Sequence, residues 1–202
     1  MSIILLLLRL PILIVHILVG LFTILFFPRE PKNFKSSHYR IMMLWMNILS
    51  SILGIKVDIR GIPDQSANLF VSNHVTYLDI IIINKLLPVN FIAKEEISSW
   101  PVIGRLASKT GTLFIKRGDN VESSKMIYEM EERFKLQNKI VFFPEGKIGN
   151  GKRVRKFHYK LFKSIENKEL YIQPIAIRYP IEYPVNNNYS EIISDKSLKG
   201  EM

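Results

Sequence analysis

The 202-residue sequence contains no cysteine, which removes disulfide frameworks, thiolate metal sites and cysteine nucleophiles together. Acidic residues are scarce beside basic ones: 18 Asp and Glu stand against 28 Lys and Arg, a net charge of +10. An excess of this size points to an anionic partner, whether nucleic acid, lipid headgroups or a phosphorylated substrate, and does not choose among them. No internal repeat and no low-complexity tract is present. With 48% hydrophobic and 23% charged residues, the composition is that of a folded chain, not a disordered one. The length suits one domain with a sizeable core and an attached element.

Long apolar runs are confined to the amino terminus. The run from Leu10 to Phe27 approaches the ~20 residues needed to cross a bilayer core. A secretory signal fits poorly, because Arg9 follows the first apolar stretch and no small-residue cleavage site comes after. Arg29, Lys32, Lys35 and Arg40 then place the following chain on the cytoplasmic side by the positive-inside rule. A second apolar stretch, Ile41 to Ile55, has two readings: a hairpin with the first that dips into one leaflet, or a helix packed on the domain that follows. The expected division is 1–55 for membrane-anchoring helices and 56–202 for an α/β domain with a polar tail from Pro184.

Beyond Ile55 short apolar runs alternate with helical patterns. Val57–Arg60, Leu69–Ser72, Asn90–Lys94, Thr112–Ile115, Lys139–Phe143 and Tyr171–Arg178 read as strands. Asp79–Leu87, Trp100–Lys109 and Val121–Leu136 read as helices, the last with Met126, Ile127, Met130 and Phe134 on one face. Strands alternating with helices predict an α/β fold: a mostly parallel central sheet flanked by helices, behind an apolar helical anchor.

Three strand ends carry candidate chemistry. Asn73-His74-Val75-Thr76-Tyr77-Leu78-Asp79 puts a histidine after a strand and an aspartate near a helix start, where a carboxylate can fix one ring nitrogen and leave the other as a base. The spacing also fits a core histidine and an ordinary first-turn aspartate. No serine or cysteine nucleophile is evident beside His74, which favours direct attack by a substrate hydroxyl. Phe143-Pro144-Glu145-Gly146 brings Glu145 to the same rim if the strands are parallel; a solvent-facing exit loop is its plain alternative. Lys94 and Arg117 each end a strand, where a cation can meet phosphate. The turn Gly149-Asn150-Gly151-Lys152-Arg153-Val154-Arg155-Lys156 reads either as a solvated loop or as a surface for anionic lipid, an acyl carrier protein or the phosphates of coenzyme A.

Together these segments resemble the lysophosphatidate acyltransferase family (1-acylglycerol-3-phosphate acyltransferases and relatives), which carries four ordered blocks. Asn73, His74 and Asp79 match the first, around Thr76; Gly111, Phe114, Ile115 and Arg117 match the second. Phe143, Pro144, Glu145 and Gly146 match the third, and Pro174, Ile175 and Ile177 the fourth. The resemblance implies that His74 deprotonates an acceptor hydroxyl and Asp79 orients it. It implies that Arg117 holds the acceptor phosphate, that Glu145 and Gly146 bind its glycerol part, and that Lys94 adds to the anion site. Acyl-CoA or acyl carrier protein is the implied donor, as a co-substrate; no metal and no cofactor is expected. The implied product is phosphatidic acid, made at a membrane.

Two departures stand out. Lys147 occupies a position where the family usually has threonine or serine, and Ile148 one where arginine often follows. The chain also ends soon after the fourth block where many relatives continue, so part of the acyl channel or a carboxyl-terminal helix is expected to be missing. Lys147 keeps a lyso-ornithine lipid or a remodelled phospholipid open as acceptor, and a catalytically inactive membrane-binding relative is the further alternative. Nucleic acid is not expected as a partner, because the cations are not interleaved with aromatics along one strand face.

Overall fold

The computed structural model describes residues 3–30, 34–116, 120–149, 154–166 and 168–179. Two helices open the chain, α1 (Ile3–Thr23), extended by a 3-10 turn at Ile24–Phe26, and α2 (Ser36–Ile52). There follow β1 (Ala67–Ser72), α3 (Leu78–Leu86), β2 (Val89–Lys94), a 3-10 turn at Glu95–Ser99, α4 (Ile103–Lys109), β3 (Leu113–Ile115), α5 (Asn120–Lys135), β4 (Lys139–Phe142), a 3-10 turn at Tyr159–Ile165 and β5 (Tyr171–Ile175). The strands form one sheet in the order β3-β2-β4-β1-β5, and every pairing is parallel.

Parallel strands buried on both faces need near-continuous apolar sequence, and the central pair supplies it as Leu69-Phe70-Val71 and Ile140-Val141-Phe142. Period-2 alternation sends their side chains to two cores. Leu69, Ile92, Leu113, Ile140 and Phe142 meet Met126, Met130 and Phe134 of α5 on one face. Phe70, Val89, Phe91 and Val141 meet Ile83 and Leu87 of the α3 region on the other. Pro174 fits within β5 because β5 is an edge strand, where a missing N–H leaves no neighbour unpaired.

The strand order creates the place where a site can form. From β1 the chain passes over β4 to β2, whereas from β4 it passes over β1 to β5. The two central strands therefore send their connections apart, one by way of α3 and the other by way of the Tyr159–Ile165 turn. Such a switch point opens a crevice beyond the carboxyl ends of the strands.

The first two helices form an antiparallel pair. The His16 ring stacks on the Trp45 indole at a centroid distance of 4.5 Å. Trp45 Nε1 donates to the His16 carbonyl, and His16 Nε2 lies 3.2 Å from the Trp45 carbonyl. Gly20 permits this approach, since a Cβ there would sit 2.7 Å from the indole nitrogen. Nearer the link, Phe27, Phe34 and His38 pack ring against ring. α2 in turn lies along α3, where Lys85 Nζ donates to Ser50 Oγ. Its Tyr39 hydroxyl reaches the side-chain oxygens of Asn90 and Asn138 at 2.9 and 3.0 Å, beside the starts of β2 and β4. Burial pushes the Tyr39 phenol up to about 12, so it stays a donor. The second apolar stretch packs on the α/β unit and also pairs with the first helix, so the two readings of it do not exclude each other.

Two expectations need correction. Val57–Arg60 pairs with no strand among the described residues: Asp58, Ile59 and Arg60 are all exposed and no ladder partner covers them. The helix expected from Trp100 begins at Ile103: Glu95–Ser99 forms a 3-10 turn, and Gly104 lets α4 pack directly on the Ile97 and Ser98 carbonyls. The 3-10 turn at Tyr159–Ile165 is an addition that no apolar periodicity announced.

Met130 is fully buried between α5 and the sheet. Met130→Ala is expected to cost about 2–5 kcal/mol by cavity formation, measured as a fall in the denaturation midpoint of the detergent-solubilised protein.

Candidate active site

The loop after β1 is short because the next helix must start almost at once. Its side chains do the work of closing it. Asp79, in the first turn of α3, swings its carboxylate back under the loop. Its Oδ2 accepts from the backbone N–H of Val75 at 2.7 Å and of Thr76 at 3.1 Å. The same oxygen lies 2.7 Å from His74 Nδ1. The spacing of His74 and Asp79 is thus the spacing that lets one helical turn return a carboxylate to the residue leaving the strand. Thr76 Oγ1 accepts weakly from Leu78 N–H and steadies the helix start.

Asp79 is wholly shielded from solvent, while the His74 side chain keeps 14% of its surface exposed. Burial is the strongest influence on Asp79 and pushes its carboxyl up. Hydrogen bonds from His74, Tyr179 and the Thr76 and Val75 amides together outweigh it and hold the group below the ordinary aspartate value. Asp79 is therefore ionised at neutral pH. An ionised acceptor at Nδ1 fixes the proton there, and Nε2 is left as the basic nitrogen.

The crevice is closed across its floor by Phe143, whose ring stacks on the His74 ring at 4.0 Å and 11°. This contact joins the end of β1 to the end of β4. Beyond Phe143, Pro144 and Glu145 form a turn that Gly146 completes at φ 70°, a backbone position glycine takes without strain. The Gly146 N–H donates to the Phe143 carbonyl, the Gly149 N–H to the His74 carbonyl at 2.7 Å, and the His158 N–H to the Pro144 carbonyl. Glu145 is buried, and its Oε2 accepts from the Arg155 N–H at 3.1 Å. The glutamate thus holds the returning basic segment against the site as well as facing the crevice.

His74, Lys94, Glu145, Gly146 and Lys147 all line one groove of about 1540 Å³. From them it continues between apolar walls: Ile80 and Ile81 of α3, Phe91 of β2, Leu106 of α4, and Trp45 and Met46 of α2. The volume exceeds the ~300–1,000 Å³ of an ordinary small-ligand site. Lys94, Lys147, Arg155 and Lys156 are exposed at its polar end.

The remaining candidates have other roles or places. Asn73 leaves the groove and clamps two strands: its Nδ2 donates to the Ile177 carbonyl and its Oδ1 accepts the Ile177 N–H, at 2.9 and 2.7 Å. Gly111 turns the chain after α4 at φ 90°, Phe114 sits in β3 and Pro174 in β5. Arg117 lies outside the described residues, as do Lys152, Arg153 and the tail from Pro184. Among the described residues no group of three or more His, Asp or Glu is arranged to hold a metal ion.

Two contacts escaped the motif reading. Phe143 belongs to the third block, but its place after β4 aims its ring at His74, a contact that the block does not announce. The Tyr179 hydroxyl donates to Asp79 Oδ1 at 2.7 Å. The alternation Ile175, Ile177, Tyr179 carried a signal, because both isoleucines pack on the face that holds α3.

A family model described as Acyltransferase matches residues 55–178. The lyso-ornithine lipid O-acyltransferase of Pseudomonas aeruginosa is 35% identical over 140 residues, covering 69% of this chain and 54% of that protein. The 1-acyl-sn-glycerol-3-phosphate acyltransferase of Neisseria gonorrhoeae is 31% identical over 147 residues, covering 72% and 57%. The chain thus spans about half the length of the curated relatives it matches. In fold it is similar to the 1-acyl-sn-glycerophosphate acyltransferase crystal structure from Thermotoga maritima, with a TM-score of 0.53 at 20% identity, over 66% of this chain and 55% of that one.

An aspartate held below its ordinary 3.8 in the fold adds stability that is complete above 3.8 and is lost as pH falls through the lower folded value. The stability gap between wild type and Asp79→Asn is therefore expected to be constant near neutrality and to shrink below about pH 4. Denaturant midpoints measured across that range check it.

Proposed function

The chain belongs to the Acyltransferase family, and from that premise we propose that it moves a fatty acyl chain from a thioester to the free hydroxyl of a lysolipid. The observation that carries this reading is His74, oriented by a buried, ionised Asp79 at the polar end of a long apolar groove. His74 Nε2 takes the hydroxyl proton as the acceptor oxygen attacks the thioester carbonyl. The tetrahedral centre then collapses, the C–S bond breaks, and the imidazolium returns its proton to the departing sulfur. No enzyme-bound acyl group forms in this scheme. The apolar walls accept the acyl chain, so that chemistry occurs only where its carbonyl reaches the rim.

The acceptor we favour is 1-acylglycerol-3-phosphate, giving phosphatidic acid, because Lys94, Lys147 and Arg155 surround the rim with exposed cations suited to a phosphate. Arg117 is assigned the acceptor phosphate on motif grounds, and Glu145 and Gly146 the glycerol part. A lyso-ornithine lipid is the second reading, supported by the 35% identity to an acyltransferase of that name and by Lys147. The donor is acyl-CoA or an acyl carrier protein.

The first two helices support a place at the membrane. Leu7–Phe26 is apolar enough to cross a bilayer, with a mean hydropathy of 2.3. Leu7, Leu10, Ile14, Leu18 and Phe22 face outward. Because α1 packs against α2, and α2 against α3, the pair fits insertion into one leaflet beside the groove better than a separate span. Arg29 and Arg40, at the link, favour the cytoplasmic face.

The test is transfer of a labelled acyl chain by the purified protein, with both thioester donors and paired phosphate-bearing and ornithine-bearing lysolipids. His74→Ala is expected to lower the rate by about 10²–10⁴ while the protein still folds and binds vesicles, with a lower melting temperature because Asp79 loses one of its four donors. Near wild-type transfer by that variant would remove His74 as the base.

A further inference from the structure

We infer that Tyr179 is a positioning residue for the His74–Asp79 pair, acting through Asp79 and not through substrate. The inference rests on the acyltransferase reading above and adds a residue that none of the four sequence blocks contains. The Tyr179 hydroxyl donates to Asp79 Oδ1 at 2.7 Å, while Oδ2 receives His74 and two loop amides. The two carboxylate oxygens thus divide the work: one faces the base and its loop, and the other is held by a side chain just beyond β5, the edge strand beside β1. Tyr179 does not line the groove, and its hydroxyl meets Asp79 on Oδ1, the oxygen that does not face His74.

The chain delivers this hydroxyl by a built route. Beyond the last ladder pair, Ser72 with Ile175, the Asn73 amide bonds both backbone groups of Ile177. This side-chain clamp continues the register of β1 and β5 past the end of the sheet. Two residues on, with the same facing as Ile175 and Ile177, the phenol reaches Asp79. Burial and the neighbouring carboxylate both push the Tyr179 phenol well above its ordinary value, so it remains a donor throughout the working pH range. Among the described residues, His74 and Tyr179 are the titratable groups that contact Asp79.

Tyr179→Phe removes one oxygen and leaves a fully buried carboxylate oxygen without its side-chain donor. Asp79 then binds a proton more readily and holds the imidazole less firmly. The expected result is a fall in kcat of about 10-fold or more with KM for donor and acceptor unchanged, and an acid limb of the kcat/KM profile moved to higher pH. 3-Fluorotyrosine at position 179, which keeps the ring and strengthens the donor, is expected to move that limb to lower pH. In an Asp79→Asn background, Tyr179→Phe should cost little more, because the residue acts through the carboxylate.

The measurements use the full chain in the same labelled transfer assay, with melting temperatures to confirm folding. Tyr179→Phe activity within twofold of wild type, or pH profiles unmoved by both the phenylalanine and the fluorotyrosine, would overturn the inference. A loss confined to KM would also overturn it, since that would place Tyr179 against substrate. Failure of the acyltransferase reading shows separately, as no transfer by the wild-type protein from either thioester donor to any lysolipid.

Discussion

The carboxylate of Asp79 is the constraint on which the rest of the site depends. A wholly buried negative charge is costly unless it is hydrogen-bonded, and this one receives four donors: the His74 ring, the Val75 and Thr76 amides, and the Tyr179 phenol. The donors come from both ends of the α/β unit, so Asp79 is satisfied only when β1, α3 and the exit of β5 are all in place. Catalytic geometry and folding are thereby coupled at one side chain. The Asn73 clamp belongs to the same arrangement, because it sets how far the chain runs beyond β5 before Tyr179 turns in.

Strand order explains why His74 and the Glu145 turn meet here. The ends of β1 and β4 are neighbours, yet their connections depart in opposite directions. His74 and Phe143 stack across the crevice that results, and the Gly149 amide ties the second loop to the His74 carbonyl. The groove leads from this junction toward Trp45 and the α1–α2 pair. A lipid chain leaving a bilayer beside those helices would reach His74 without crossing water. On the proposed function, membrane contact and catalysis would both follow from one packing arrangement, in which α2 serves as wall to the groove and as support for α1.

Much of this was legible in the sequence, and the reasons differ by element. The central strands were clear because strands buried on both faces read as near-continuous apolar runs, as at Ile140–Phe142. The His74–Asp79 pair was visible as a spacing, but only the structure distinguishes a held dyad from a core histidine and a helix-start carboxylate. Val57–Arg60 misled because apolar alternation describes a strand's faces and not its partner. The pairing of α1 with α2 was open because Arg9 and His16 look like interruptions in an apolar run until Trp45 is opposite. Tyr179 was missed because its role depends on a clamp made by Asn73, a contact across 104 positions that no local pattern encodes. Glu145 was read for its place on the rim; its bond to the Arg155 amide shows that it also holds the loop that shapes that rim.

The central claim is that Asp79 fixes His74 in the tautomer that leaves Nε2 free to accept a proton. Nitrogen-15 NMR of the histidine-labelled protein in lipid vesicles addresses it directly. The chain has four histidines, and His74→Gln identifies the relevant signals by their loss. The account predicts a protonated Nδ1 and a bare Nε2 for His74 at pH 8, with an averaged pair of signals appearing in Asp79→Asn. A protonated Nε2 in the wild-type protein, or an averaged tautomer unaffected by that substitution, would contradict it.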